Sequence, residues 1–165
     1  MAERQREDDE VIVRPFRPKD AGAIFAITAA VFEPASIDAM IEKILGRAAA
    51  DWQKIKTQSV RKELKDNPGG CFVAELGGRV VGYVTTLVNQ PASRGGIPNL
   101  AVAVEAQGRG IGRRLLLRAL EYFRELGLAQ AKIETLACNE IGQHLYPSVG
   151  FREVARQIHY VMPLR

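Results

Sequence analysis

The chain has 165 residues, 47% of them apolar and 25% charged, with 23 basic against 19 acidic side chains and a net charge of +4. That composition is globular, and a single domain of this length buries about 70% of its unfolded surface without help from disulfides or a metal. It excludes a disordered chain, a collagen-like chain and a disulfide scaffold, and no apolar run approaches the roughly 18 residues of a membrane span.

Residues 1–10 carry five acids and two bases, with no apolar stretch. They read as a solvated tail and resemble neither a secretory signal nor a transit peptide. Residues 11–165 then form one domain. Val11–Phe16 is a short strand ended by Arg17-Pro18. Ile24, Ile27, Ala30 and Val31 recur at helical spacing, with Asp20 placed to cap the start and Pro34 to stop the run. From Ser36 to Lys65 the period remains helical through Ile37, Met40, Ile41, Ile44, Leu45, Ala48, Trp52 and Ile55, and Gly46 divides the run. This segment carries more bases than acids. Asn67-Pro68-Gly69-Gly70 is a turn cluster.

The period then changes to two. Cys71–Leu76 and Arg79–Val88 flank Gly77-Gly78, a hairpin signal. A polar loop over 89–96 leads to a strand over Leu100–Val104 and a glycine-rich turn over Gln107–Gly112. An amphipathic helix from Ile111 to Leu126 ends at Gly127. Lys132–Ala137 reads as a strand, Asn139–Tyr146 as a short helix capped by Asn139, and Phe151–Pro163 as one bent strand or two. The order β-α-α-β-β-β-α-β-α-β(β) is that of a single α/β domain whose mixed central sheet is flanked by helices. Cys71 and Cys138 lie in apolar, strand-like stretches and read as reduced, buried thiols, which fits a cytoplasmic protein. The two histidines and two cysteines match no zinc spacing, so no metal is expected.

The segment that carries chemistry is the strand feeding Gln107, Gly108, Arg109, Gly110, Ile111 and Gly112, which open a helix. The first turn of a helix has unpaired N–H groups at the positive end of its dipole, and glycine lets a phosphate approach them. This is a site for an anion such as a pyrophosphate. Arg109, Arg113, Arg114 and Arg118 add positive charge, with no acid from Gln107 to Leu120. The spacing fits neither a dinucleotide fingerprint nor a P-loop.

Gln107, Gly110 and Gly112 resemble the signature of the GNAT acetyltransferases. A second resemblance lies in Asn139, Leu145-Tyr146 and Gly150-Phe151, and the element order agrees. The resemblance implies the GNAT fold and transfer of an acetyl group from acetyl-CoA to a primary amine by direct attack. In that reading the backbone of Leu100, Ala101 and Val102 holds the acetyl carbonyl and the pantetheine arm. Amides from Gly108 through Arg109, Gly110, Ile111 and Gly112 to Arg113 hold the pyrophosphate. Asn139 contacts the arm or merely caps its helix. Tyr146 protonates the leaving sulfur, and Glu134 is the candidate base or a structural carboxylate of its strand. Pro147 is expected to push Tyr146 away from helical geometry, and Gly142 to weaken the short helix by about 1 kcal/mol. The acceptor is an amine-bearing small molecule or a protein, and the basic helical segment either favours an acidic acceptor or is simply solvated. A homodimer through an edge or last strand fits the resemblance. A non-catalytic acyl-CoA sensor on the same fold is the rival reading. Nucleic acid is disfavoured, because the aromatic residues do not interleave with the basic ones.

Overall fold

Gly77 and Gly78 both adopt positive φ, at 54° and 73°, a backbone that side-chain-bearing residues resist. They turn the chain between β2 (Phe72–Leu76) and β3 (Arg79–Asn89), as the alternation on either side predicts. The computed structural model describes residues 10–164, so the acidic tail, Glu10 apart, lies outside the described residues. With β1 (Ile12–Pro15), β4 (Arg94–Val102) and β5 (Gln130–Ile133) these strands form one sheet in the order β1-β2-β3-β4-β5. The first three pairings are antiparallel and β4–β5 is parallel, so the sheet is mixed.

The helices are α1 (Ala21–Val31), α2 (Ile37–Leu45), α3 (Trp52–Asp66), α4 (Ile111–Glu125) and α5 (Glu140–Val149). Successive strand residues face opposite sides. On β3, Tyr83 bonds Thr28 of α1 at 2.7 Å and Thr85 bonds Glu63 of α3, also at 2.7 Å. Gly82, which precedes Tyr83 and so faces the other side, lies against Leu115 and Ile111 of α4. Thus α1 and α3 cover one face and α4 the other. Ile24, Val60, Val73, Val84, Leu115 and Leu116 are fully buried between the layers. The long helical run divides as expected after Leu45, with Gly46 at φ +80°. Ser36 caps α2 through the Ala39 N–H and Asp51 caps α3 through the Lys54 N–H.

Four expectations are corrected. The strand expected at Leu100–Val104 begins six residues earlier, at Arg94, and ends at Val102. Gly95, Gly96 and Pro98 looked like loop residues. Pro98 sits where β4 carries one residue more than β3, between the Leu87–Gly96 and Thr85–Asn99 pairs, and a bulge tolerates a missing N–H. The strand expected over Lys132–Ala137 is confined to Gln130–Ile133. The strand or strands expected over Phe151–Pro163 are not formed. This segment has no regular structure, and Val154, Ile158, Tyr160 and Met162 are exposed. The outer edge of β5 is unpaired among the described residues, yet this segment does not pair with it, and Arg156 turns back onto Glu153 at 2.8 Å. Among the described residues no strand follows α5. Cys138, expected to be buried, is exposed, since it lies past the shortened β5; Cys71 is buried, and both are free thiols.

Asp20 begins α1 without capping it. Its carboxylate accepts instead from the Arg17 N–H and from both terminal nitrogens of Arg14, which also pairs with Glu75. The Arg14 hydrogen bonds hold the Asp20 carboxyl below the usual range, tying β1 to the start of α1.

Candidate functional site

The pairing of β4 changes along its length. Against β3 it is paired from Arg94 to Val102, across the bulge at Pro98, but against β5 only from Arg94 to Ile97. Past Ile97 the pairing of the two parallel strands ends, which leaves a gap in the ladder. The Ala103 N–H bonds the Val81 carbonyl at 2.8 Å. Alternation along an antiparallel strand then turns the N–H and C=O of Leu100 and Val102 away from β3 and into the gap. The Val102 carbonyl confirms the direction, for it accepts the Gln107 side-chain amide at 3.1 Å. Leu100 and Val102 are half-buried and Ala101 is buried, so the gap has an apolar floor and polar backbone edges. This is a place where an acyl group and an amide-containing arm can be hydrogen-bonded by main chain alone.

The turn after β4 leads into the N-terminus of α4. Gly108 has φ +76° and Gly110, the N-cap, φ +73°. No side chain caps this helix. The first intrahelical bond runs from the Arg114 N–H to the Gly110 carbonyl. The N–H groups of Ile111, Gly112 and Arg113 therefore have no partner inside the helix. Gly110 is exposed and has open space where a Cβ would stand. Orphan amides at a helix N-terminus, without a capping side chain, suit a phosphate. Arg113 reaches across to Ser148 of α5 at 2.9 Å, and Arg118 pairs with Glu121 and Glu125. Arg109 is exposed and is not without partners.

The last helix is anchored at the same end. A Cβ on Gly112 would stand 3.6 Å from Leu145 and 3.8 Å from Val102. Tyr146, the next residue on α5, is half-buried, stacks edge-on with Phe151 at 6.3 Å, and burial pushes its phenol above the ordinary value. The expectation that Pro147 displaces Tyr146 from helical geometry is corrected. α5 runs through Pro147 to Val149 and ends at Gly150, φ +109°. Helix continuity is kept because the following Gly150 and Phe151 N–H groups close the end on the Pro147 and Tyr146 carbonyls. Asn139 caps α5, accepting the Gly142 N–H at 3.2 Å, and its own amide donates to Thr135 at 2.8 Å. Gly142 is required there, since a Cβ would come within 3.0 Å of Asn139 and Tyr146. Glu134 lies beyond the end of β5, 72% exposed, with Lys132 Nζ 2.6 Å from its carboxylate.

An open cleft of about 570 Å³ is lined by Glu33, Pro34, Met40, Glu42, Lys43 and Trp52 among others. Pro34 reaches the segment after β5, where its carbonyl accepts the Cys138 thiol at 3.4 Å. Sequence reasoning missed a second polar cluster, Glu63 with Thr85 and Asn99, beneath the same stretch of β4. Its signal was an acid placed between the core positions Val60 and Leu64. Among the described residues, no group of three or more His, Cys, Asp or Glu is placed to hold a metal ion, and no helix is long and apolar enough to cross a membrane.

The pattern of the Acetyltransferase (GNAT) family matches residues 37–151. The mycothiol acetyltransferase of Thermomonospora curvata is 32% identical over 143 residues, covering 83% of this chain and 48% of that protein. Human N-acetylaspartate synthetase is 32% identical over 97 residues, 58% of this chain and 32% of that protein. The chain thus spans about half, or less, of the length of these relatives. Among solved structures, a GCN5-related N-acetyltransferase from Ralstonia eutropha superposes with a TM-score of 0.67 at 26% identity, over 92% of this chain and 99% of that one. The PaiA N-acetyltransferase of Thermoplasma acidophilum, solved in complex with coenzyme A, gives 0.67 at 13% identity, over 87% and 90%.

Proposed function

The chain belongs to the acetyltransferase (GNAT) family, and we propose that residues 11–165 form an acetyltransferase domain that takes the acetyl group of acetyl-CoA to the primary amine of an acceptor by direct attack. The observation that carries this reading is the junction of two backbone features: the gap where β4 leaves β5, and the uncapped N-terminus of α4 at its mouth. The amides of Gly108 to Arg113 suit the pyrophosphate of acetyl-CoA. The N–H groups of Leu100 and Val102 suit its arm and thioester carbonyl.

The chemistry sets three demands. The attacking amine must be neutral, yet an amine with a pKa near 10.4 is deprotonated in only about one molecule in a few thousand at pH 7. The thioester oxygen gains negative charge in the transition state and needs a fixed donor. The sulfur leaves more readily with a proton. Leu100 and Val102 N–H groups answer the second demand, and Tyr146, half-buried beside Gly142, answers the third. Glu134 is the candidate for the first. Its carboxylate must leave Lys132 or work through a water. Asn139 fixes the start of α5 and so the position of Tyr146, with its cap hydrogen bonds already made. The cleft beside Pro34 and Trp52 is the side from which the acceptor enters. The names of two relatives, a mycothiol acetyltransferase and an N-acetylaspartate synthetase, support a small molecule as the acceptor. Two free cysteines fit a reducing, cytoplasmic setting.

Thiol release from acetyl-CoA, followed against a panel of small amines and amino acids, tests the activity. Amine-dependent release that falls in Glu134→Gln, with a changed pH–rate profile, supports transfer with Glu134 as base. Acetyl-CoA binding without release for any amine would favour the sensor reading.

A further inference from the structure

Glu63 is a carboxylate turned into the core of the domain, 8% exposed on α3 between Val60 and Leu64. Its Oε2 accepts the Thr85 hydroxyl at 2.7 Å and the Asn99 side-chain amide at 2.6 Å. Its Oε1 has only the Ser59 hydroxyl, at 3.4 Å. Asn99 is 2% exposed, and its Oδ1 has no hydrogen-bond partner among the described residues. A buried side-chain carbonyl without a donor is costly and calls for an explanation. The donor half of this amide is spent on Glu63, so the half left over accepts only.

The position of that oxygen supplies the explanation. Asn99 faces Thr85 across the β3–β4 ladder, on the sheet face covered by α1 and α3. It immediately precedes Leu100, whose N–H opens into the gap between β4 and β5. Adjacent Cα atoms are about 3.8 Å apart. An acceptor oxygen backed by a carboxylate therefore stands beside the place assigned to the thioester carbonyl, on the face away from α4 and its phosphate site. The Lys56 ammonium lies over the Phe32 ring, 4.6 Å from its centroid, and also feels the Glu63 charge, without a hydrogen bond to it among those described.

We propose that Asn99 Oδ1 receives an N–H of the acceptor's ammonium group, with Glu63 as the positioning residue that fixes the Asn99 amide and supplies the opposing charge, so that the acceptor enters as a cationic primary amine. The proposal rests on the acetyl-transfer reading and adds to it the residue that meets the amine. The charge on Glu63 makes an ammonium preferred over a neutral donor of the same shape.

The test uses the whole protein, ¹⁵N-labelled, with n-butylammonium chloride as the cationic probe and n-butanol as its neutral counterpart. The Asn99 side-chain amide signals, assigned in the wild type, are followed with and without acetyl-CoA. The expected result is a saturable shift with n-butylammonium and none with n-butanol. In Glu63→Gln, which keeps a hydrogen-bonding group of the same shape, the apparent affinity for n-butylammonium falls at least tenfold. In Asn99→Ser the KM for n-butylamine rises at least tenfold while acetyl-CoA affinity is unchanged. The proposal is overturned if the wild-type Asn99 signals ignore n-butylammonium, or if n-butanol shifts them equally. It is also overturned if Glu63→Gln binds the cation as well as the wild type. The wild-type titration needs no variant to fold. Loss of the acetyl-transfer reading would show separately, as failure of acetyl-CoA to bind.

Discussion

Tyr146→Phe should lower kcat for amine acetylation by at least about a hundredfold, the lower end of what one positioned proton donor contributes. The dissociation constant for acetyl-CoA should stay within about twofold. The exchange removes one hydroxyl and keeps the ring, so the edge-on contact with Phe151 and the fit against Gly142 survive. Burial raises the Tyr146 phenol above its ordinary value, so the group remains protonated, and able to donate, across the neutral range. The sign follows: a general acid fails only as pH rises through its pKa, so the wild-type rate should show no loss assignable to Tyr146 across the neutral range. Steady-state rates from pH 6 to 10 and binding measured by calorimetry check both parts. An unchanged kcat would remove Tyr146 from the chemistry.

Gly95→Val should destabilise the fold strongly. A Cβ at Gly95 would stand 2.4 to 2.5 Å from three ring carbons of Phe123. Phe123 is nearly fully buried on α4, so the ring cannot swing out into solvent. Either α4 lifts from β4 or the strand bends. Overpacking of this kind costs about 1–3 kcal/mol, and the added branches of valine place the loss near 3. At about 2–4 °C per kcal/mol for a domain of this size, Tm should fall by roughly 6–12 °C. Phe123→Leu removes the ring, and the double variant should be more stable than the sum of the two single losses by at least about 1 kcal/mol. Thermal denaturation of all four proteins gives the coupling. Additive losses would mean that the two residues do not press on one another as the structure has them.

The same glycine shows where the sequence was legible and where it was not. Gly77-Gly78 announced the hairpin because its signal is local: positive φ in a tight turn. Gly95, Gly96 and Pro98 look like loop residues for an equally local reason, yet they lie in β4. Gly95 is set by the approach of Phe123, 28 positions away, and Pro98 by a bulge against β3. The uncapped, glycine-rich start of α4 was legible because strand, glycines and helix start lie within a dozen residues. Tyr146 is singled out by the resemblance, and the displacement expected from Pro147 does not occur. The effect of Pro147 on a helix is local, whereas the tertiary seat of α5, through Leu145 on Gly112, overrides it. The strand expected at Phe151–Pro163 rested on apolar composition, and composition does not by itself form a ladder. The Glu63–Asn99 contact joins residues 36 positions apart, and no periodicity reveals it.

The claim on which the functional account stands is that backbone amides at the start of α4 and along the free edge of β4 grip acetyl-CoA. Titration of acetyl-CoA into the ¹⁵N-labelled protein tests it directly. The account predicts saturable shifts that are largest at the amides of Gly108, Gly110, Ile111, Gly112 and Arg113, with Leu100 and Val102 shifting in step. Shifts absent from these seven amides, or centred instead on the cleft at Trp52, would contradict it.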